Sequence, residues 1–556
     1  MNKIYDESYY DFIIDNTLVP FYQSANTIIP MNERHSLIHI PVYDVDLCDL
    51  GKFPYHRFPS LFTLSSVTSI DASNISQVRG NPYLALFGQG VLVGIIDTGI
   101  DYQHPAFRDS AGMSRIYSLW DQTIDTENHP EGFTYGTEYT KQDINQAILA
   151  DNPLEVVPSI DDNGHGTGIA SIIAGTDSTT EGFIGVVPYS ELAVVKLKKA
   201  KNNIKKIFAV EENRLCYQES DVIFAIKYLI SLADRLKRPI AICIALGTSQ
   251  GGHDGSGATS TYMTSLAQTT RVCFIAAAGN EASLRRHYYT NSPTQQAEFE
   301  LEINEKDKML SMEVWPYTPS RCAIEMISPT GETTKPIYPS LNDCRNIQFI
   351  LNQTNVRVNN IIFEQETGDQ MILVRFNNPT PGNWKIILTD LDDTDLSFHA
   401  WLPSGNLISR DTYFVESNPD TTITSPANAR NVLTIAAYNQ VNGGILRDSG
   451  RGYSRNGFIN PEVAAPGSSI KCALPGGRYG SMTGTGAAAA HASGIAAMIL
   501  EWAVVKGNYT SITGNDINRL VIRGAMQRDP NISYPNKIWG YGVIDAYGIF
   551  ESLSIF

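Results

Sequence analysis

Apolar positions recur along this chain in three different rhythms. Between Gly88 and Ala278, short uninterrupted apolar runs alternate with longer stretches in which apolar residues return every three or four positions. Val91–Ile96, Leu192–Leu197, Ile240–Leu246 and Val272–Ala278 are of the first kind. Runs of that length predict strands covered on both faces. Ser220–Leu236 is of the second kind: Val222, Ile223, Ile226, Leu229, Ile230 and Ala233 keep helical spacing. Ser220 or Asp221 can cap its start, and Pro239 stops it. Gly166–Gly175 predicts a further helix, of small and apolar residues. Buried strands alternating with helices define an α/β fold with a mostly parallel sheet and helices on both faces.

A second rhythm starts near residue 295. Ala297, Phe299, Leu301 and Ile303 alternate with Glu298, Glu300 and Glu302, the period of a strand with one wet face. Met309–Trp315, Cys322–Ile327, Met371–Phe376, Trp384–Leu388 and Leu396–Trp401 continue it, with turn signals at Pro329–Gly331 and Pro379–Gly382. That predicts an all-β insert over 295–403, a sandwich or jelly roll. The first texture resumes at Asn431–Ala437. Residues 1–80 form the third texture, rich in aromatics and proline and without helical or strand period. A polar, Ser-rich stretch over 66–79 reads as a linker. The predicted division is therefore 1–80, a core made of 81–294 and 404–556, and the 295–403 insert that splits it.

Composition narrows the partners. The 556 residues carry 42 Lys and Arg against 58 Asp and Glu, a formal net charge of −16. That argues against nucleic acid or an anionic bilayer, which select basic faces. No uninterrupted apolar run reaches the roughly 18 residues of a membrane span. The nearest, Gly484–Leu500, contains His491 and reads as a buried helix. The N-terminus is acidic and polar where a secretory signal is basic and then apolar, so a cytoplasmic chain is expected. Seven scattered cysteines with no CxxC pair are expected to be reduced thiols without a metal site. The lysine-rich stretch Lys196–Lys206 is a partner-binding patch or, as such runs usually are, a solvated strand-to-helix connection.

Candidate chemistry sits in four segments whose order matters. Asp97 ends a buried strand in Ile95-Ile-Asp-Thr-Gly99, and His165 opens a helix in Asn163-Gly-His-Gly-Thr167. Asn280 follows another strand in Ala276-Ala-Ala-Gly-Asn280, and far downstream Ser481-Met-Thr-Gly-Thr-Gly-Ala-Ala488 runs into an apolar helix. An acid at a strand's carboxyl end and a histidine at a helix start can meet at the top of a parallel sheet. There the carboxylate holds the imidazole's tautomer and stabilises its cation. The Asn280 amide can face the same crevice as an oxyanion donor.

Together these segments resemble the subtilisin-like serine proteases, the subtilases, over about 91–290 and 430–550. The resemblance implies a subtilisin-like fold, with Asp97 as triad acid, His165 as base and Asn280 as oxyanion amide. It implies Ala245, Leu246 and Gly247, with Ala277, Ala278 and Gly279, as walls of the substrate cleft. One position departs from the pattern. The family's nucleophile motif reads Gly-Thr-Ser-x-Ala, and this chain reads Gly484-Thr-Gly-Ala-Ala488, with Gly486 where the serine belongs. Ser481 and Thr483 precede the turn and Ser493 lies two helical turns on, so all are poor substitutes. Without that hydroxyl His165 has nothing to deprotonate and no acyl-enzyme forms.

Pro105–Phe107, Arg115–Ile124, His253–Gly255, Arg451–Tyr453 and Leu500–Asn508 are similar to segments of the clostridial Csp germination proteases. That narrower resemblance implies an N-terminal prodomain, a jelly-roll insert, and no cofactor or metal. It implies a pseudoprotease acting as regulator or scaffold in spore germination. Its partners would be other Csp-type proteases or a cortex-hydrolase precursor, with a small-molecule germinant besides, and its place the forespore. Two other readings stay open. One is an active subtilisin-like endopeptidase that processes a protein precursor. The other is a sugar-binding insert presenting Trp315, Trp384 and Trp401, against which core packing is the commoner use of such residues.

Overall fold

A computed structural model describes residues 2–22, 28–46, 53–64, 71–351, 353–392 and 395–553. Its N-terminal segment holds strands that the sequence pattern conceals. β1 (Tyr9–Asp15), β2 (Ile28–Pro30) and β3 (His35–Pro41) form an antiparallel sheet in the order β1-β3-β2. No alternation shows because both faces are covered. Tyr10, Phe12 and Ile14 join a cluster with Ile204, Ile207 and Phe208, while Ile13 and Leu37 join one with Val222, Ile223 and Ile226. A short strand, β4 (Leu61–Leu64), follows. The linker expected over 66–79 lies partly outside the described residues, and its described end is a helix, Ile75–Gly80, with Ile75 and Val78 buried.

The lysine-rich stretch is only partly solvated: Lys199 and Lys206 are exposed, and the others turn inward. Lys201 Nζ donates to Asp11 Oδ1 at 2.8 Å and to the carbonyls of Lys3 and Tyr9. Lys198 pairs with Asp221 at 2.8 Å, and Lys205 donates to the carbonyls of Glu212 and Arg214. All three lysines are buried. Their charge is consumed internally, and Lys201 ties the N-terminal sheet to the core.

The first part of the core supplies β5 (Leu92–Asp97), β6 (Ile116–Asp121), β7 (Thr137–Thr140), β8 (Glu191–Lys196), β9 (Tyr217–Gln218), β10 (Ile240–Ile244), β11 (Leu246–Gly247) and β12 (Val272–Ala277). Its two expected helices are Glu219–Leu236 and His165–Ala174. The former starts ahead of the expected caps, because the Glu219 N–H bonds the Ser60 carbonyl at 2.9 Å instead.

The insert is built from β13 (His287–Ser292), β14 (Gln296–Ile303), β15 (Met309–Pro316), β16 (Cys322–Ile327), β17 (Cys344–Phe349), β18 (Thr354–Ile361), β19 (Met371–Asn377), β20 (Gly382–Asp390), β21 (Leu396–Trp401) and β22 (Tyr413–Phe414). These make an antiparallel sheet of six strands, β13-β21-β15-β19-β18-β17, and one of four, β16-β20-β14-β22. One apolar cluster, with Leu301, Ile324, Val374 and Ile386, joins residues of both sheets. Because β13 pairs with β21 and β22 with β14, the two sheets reach from residue 287 to residue 414. Trp315, Trp384 and Trp401 are at most 3% exposed and pack inside, which leaves no sugar platform among them.

After the insert the chain returns through β23 (Leu433–Tyr438) and β24 (Val463–Pro466) and completes an eight-stranded sheet, β24-β23-β12-β10-β5-β8-β6-β7. Every pairing in it is parallel except β6 with β7. Both faces are apolar. Val93 and Ile95 face a cluster with the His165–Ala174 and Thr485–Leu500 helices, and Leu92 and Ile96 one with Glu219–Leu236. The stretch Thr485–Val505 is long and apolar enough to cross a membrane but is mostly buried inside this protein, where it is the central helix. Cys344 is disulfide-bonded, which corrects the expectation of reduced thiols throughout. Cys216, Cys243, Cys273, Cys322 and Cys472 are free and buried, and Cys48 lies outside the described residues.

Insert and core meet at a stack of rings. His253 of the core lies parallel to Trp401 at 4.0 Å, and Trp401 stacks on His399 at 4.9 Å and His287 at 5.0 Å. Burial pushes His253 down to about 4 and His287 down to about 3, and puts His399 well below its ordinary value. Burial favours the neutral rings in the fold, and unfolding frees them to protonate below about pH 6.5. Their contribution is therefore complete above pH 6.5 and is lost as pH falls towards 4. Urea unfolding followed by tryptophan fluorescence should show a midpoint that drops steeply between pH 6.5 and 4.5. A His253→Gln variant should flatten the slope; a flat profile for the unmodified chain would refute the assignment.

Candidate functional site

The order of the core sheet reverses at β5, whose neighbours β8 and β10 come later in the chain on opposite sides. Such a switch point opens a crevice at the strands' carboxyl ends. Asp97, the last residue of β5, sits there fully buried. His165 is the first residue of its helix, and its Nδ1 lies 2.8 Å from Asp97 Oδ1 and 2.9 Å from Oδ2. The sequence expectation that the two meet holds. A carboxylate so placed fixes the Nδ1–H tautomer and leaves Nε2 as the basic nitrogen.

Two features that sequence reasoning missed hold this geometry. Asp161 organises the turn before the helix: Oδ1 accepts from Thr98 Oγ1 at 2.7 Å and the Gly164 N–H at 2.9 Å, and Oδ2 from the Thr167 N–H at 2.9 Å and Oγ1 at 2.6 Å. Thr98 Oγ1 in turn accepts from the Gly166 N–H at 3.0 Å. An acid shortly before a helix start is the signal that was available. The second feature is Gly166. A Cβ there would fall on the Gly99 carbonyl oxygen and come within 3.1 Å of Asp97 Cβ. Gly166→Ala should therefore lose about 1–3 kcal/mol of stability through overpacking. It should also push the helix start away from β5, seen as weaker protection of the Thr98 and Gly166 amides in hydrogen exchange.

Asn280 faces the start of the Thr485–Leu500 helix. Its Oδ1 accepts from the Thr485 N–H at 3.0 Å and from Thr485 Oγ1 at 3.2 Å. That fixes the amide so that Nδ2 points elsewhere, and Nδ2 donates to no described residue. Gly486 is the second residue of that helix, its φ is not positive, and its N–H is among those a helix start leaves unpaired. Side chain Nδ2 and main-chain N–H are the two kinds of donor an oxyanion hole uses. Neighbouring hydroxyls are engaged otherwise: Thr483 Oγ1 accepts from the Ser469 N–H at 2.9 Å, and Ser493 Oγ donates to the Ala489 carbonyl at 2.7 Å.

The expected cleft walls divide. Leu246 and Gly247 form β11, the edge strand that takes a partner, with Ala245 buried just before it. Ala277, Ala278 and Gly279 are packed behind. The Ala278 N–H bonds the Ile435 carbonyl, its carbonyl accepts from Thr424, and the Gly279 carbonyl accepts from Gly450. The partner of β11 is the chain itself. β4 lies between β11 and β9, antiparallel to both, with Leu64 opposite Leu246 and Thr63 opposite Gly247. The Leu61 N–H donates to Gln250 Oε1 at 2.7 Å, and Leu61 and Phe62 are buried. Burial of two such side chains is worth about 1.5–3 kcal/mol each. No sequence signal marked this strand, since four residues are too few to show a period.

The functional segments thus comprise a strand-end acid, a helix-start histidine, an amide beside a second helix start and an edge strand holding an extended segment. The chain belongs to the subtilase family, whose pattern matches residues 88–307 and 397–542. Among solved structures it is similar to the Clostridium perfringens CspB protease. The two are 28% identical with a TM-score of 0.78, over 87% of this chain and 97% of that one. The subtilisin-like fold and the likeness to the Csp group thus stand on sequence and structure together. C5a peptidase of Streptococcus pyogenes is 22% identical over 87% of this chain, which spans only 42% of that protein's length. The intracellular serine protease of Paenibacillus polymyxa is 31% identical over 110 residues, 20% of this chain and 24% of that protein.

Proposed function

We propose that this chain is a subtilase-fold pseudoprotease: it binds polypeptide in its cleft without cutting it, and acts as a regulator or scaffold in spore germination. The observation that carries the reading is Gly486, a residue without a side chain, at the helix start that Asn280 faces, in a chain that keeps the Asp97–His165 pair. Loss of the nucleophile from such a triad costs on the order of 10⁶ in kcat. The likeness to CspB supports placing the chain among germination proteins, with a Csp-type protease or a cortex-hydrolase precursor as protein partner. A small-molecule germinant and a forespore setting belong to the same proposal. β4 supports the binding half of the reading, because the edge strand β11 takes an extended segment as its partner.

The second reading, an active endopeptidase, is favoured by the retained Asp97–His165 pair. One experiment separates the two. The full-length chain, expressed alone, is weighed intact and treated with a fluorophosphonate. An unprocessed, unlabelled chain is expected. Stoichiometric labelling, or a cut N-terminus made in the absence of other proteases, overturns the pseudoprotease reading.

A further inference from the structure

A cleft of about 790 Å³ opens beside the site, lined on one side by Asn163, Asn280, Thr483 and Gly484. None of the described residues of β9 or β11 lines it, so it is a separate arm from the one β4 fills. Its outer wall carries three guanidinium groups, from Arg214, Arg410 and Arg447. Arg214 is committed, pairing with Glu211 and Asp307 at 3.4 Å each. Arg410 and Arg447 are exposed and form no ion pair or hydrogen bond among the described residues. Of the acids of the same cleft, one is ion-paired and one is held by a hydroxyl. Glu281 pairs with Arg286 at 3.1 Å and accepts from the Gly405 N–H at 3.1 Å, and Asp448 accepts from Ser283 Oγ. In a chain of net charge −16, the wall keeps two guanidinium groups without ion pairs against one carboxylate, Asp448, that has no cation partner among the described residues.

The wall is also built to stay in place. Arg286, 2% exposed, donates to the carbonyls of Pro403, Gly405 and Ile408, which pins the loop that carries Arg410. Its partner Glu281 follows Asn280 in the chain, so the insert's loop is tied directly to the residue at the helix start. Arginine's planar fork suits carboxylates, which it can hold in two parallel hydrogen bonds.

We infer that this cleft docks an acidic stretch of a partner polypeptide, with Arg410 and Arg447 as the recognising cations. The inference rests on reading the site as a polypeptide-binding cleft, and it names what the arm beyond Gly486 selects. A peptide rather than a nucleic acid is the occupant, because the adjoining arm holds an extended peptide strand.

The test titrates fluorescein-labelled hexaglutamate into the full-length chain at low ionic strength, with hexalysine and hexauridylate as comparisons. Hexaglutamate should bind at least tenfold tighter than either. Joint charge reversal, Arg410→Glu with Arg447→Glu, should weaken it at least tenfold, whereas Arg410→Lys with Arg447→Lys should keep most of it. Arg519→Glu, at an exposed arginine on the Gly514–Gly524 helix, should change binding less than twofold. Hexauridylate binding as tightly, Arg519→Glu losing as much, or no preference for hexaglutamate over hexalysine would each overturn the inference. Binding is read without turnover, so a chain that proved to be an active protease could still pass. A chain that stays uncut and unlabelled yet ignores hexaglutamate sinks this inference alone.

Discussion

Gly486→Ser should turn this chain into one that a fluorophosphonate labels stoichiometrically at residue 486 and that cuts itself on the C-terminal side of Leu64. The backbone is ready for the change, because residue 486 lies within a helix and its φ is not positive. The base is oriented, with His165 Nδ1 at 2.8 Å from Asp97, and the Asn280 amide is locked by the Thr485 N–H at 3.0 Å. A bound segment is at hand in β4, paired with β11. Restoring a nucleophile to such a constellation recovers on the order of 10⁶ in rate, about 8 kcal/mol of barrier. Adding His165→Ala should abolish both labelling and cutting. A folded Gly486→Ser protein that stays unlabelled would show that the cleft has decayed at more positions than one.

The second large effect is expected at Asp11, which joins the N-terminal sheet to the core. Its buried carboxylate accepts from Lys201 Nζ at 2.8 Å, His39 Nδ1 at 2.8 Å and Gln218 Nε2 at 3.0 Å. Asp11→Ala leaves Lys201 and His39 buried opposite an apolar methyl, and breaking a buried pair from one side costs about 3–5 kcal/mol. The loss should appear in urea unfolding, together with faster proteolysis between Met1 and Leu64. Burial alone would raise the Asp11 pKa, but Lys201 first and then His39 overturn that and hold it well below the carboxylate range. A depressed acid stabilises fully above its unfolded value near 4 and stops doing so only as pH falls through the folded one. Mild acid should therefore loosen the His253–Trp401 junction while the N-terminal sheet remains docked.

What the sequence made legible follows from which surfaces each segment covers. β5, β8, β10 and β12 are covered on both sides by helices, so their apolar runs are unbroken and easily read. β14 alternates because one face is wet. β13 and β17 are polar strands at the two edges of the six-stranded sheet, and nothing in their composition separates them from loop. β18 hides differently: Asn360 is buried in it and bonds the Cys322 and Ile337 carbonyls, so a polar residue occupies a covered position. At the site, Asp97, His165 and Asn280 could be found from their places at strand ends and a helix start. Asp161 left a local signal, an acid shortly before a helix start, whereas Gly166 acts through neighbours and became visible only in three dimensions. The inward turn of Lys198 and Lys201 is hidden for the same reason, since their acidic partners Asp221 and Asp11 are not adjacent in the chain.

β12 and β23 lie side by side in the central sheet, yet the whole insert separates Ala277 from Leu433. On a growing chain that pairing has to wait until the insert has been synthesised, and closing so long a loop of unfolded chain is entropically costly. The insert's own ends are neighbours: the Phe414 N–H bonds the Arg285 carbonyl at 2.9 Å, and the Asn418 N–H bonds the His287 carbonyl at 2.8 Å. Once folded it therefore acts as a clip that brings the two halves of the core together. The ribosome would deliver the C-terminal half, and with it the helix bearing Gly486, to a nascent chain already bent into position.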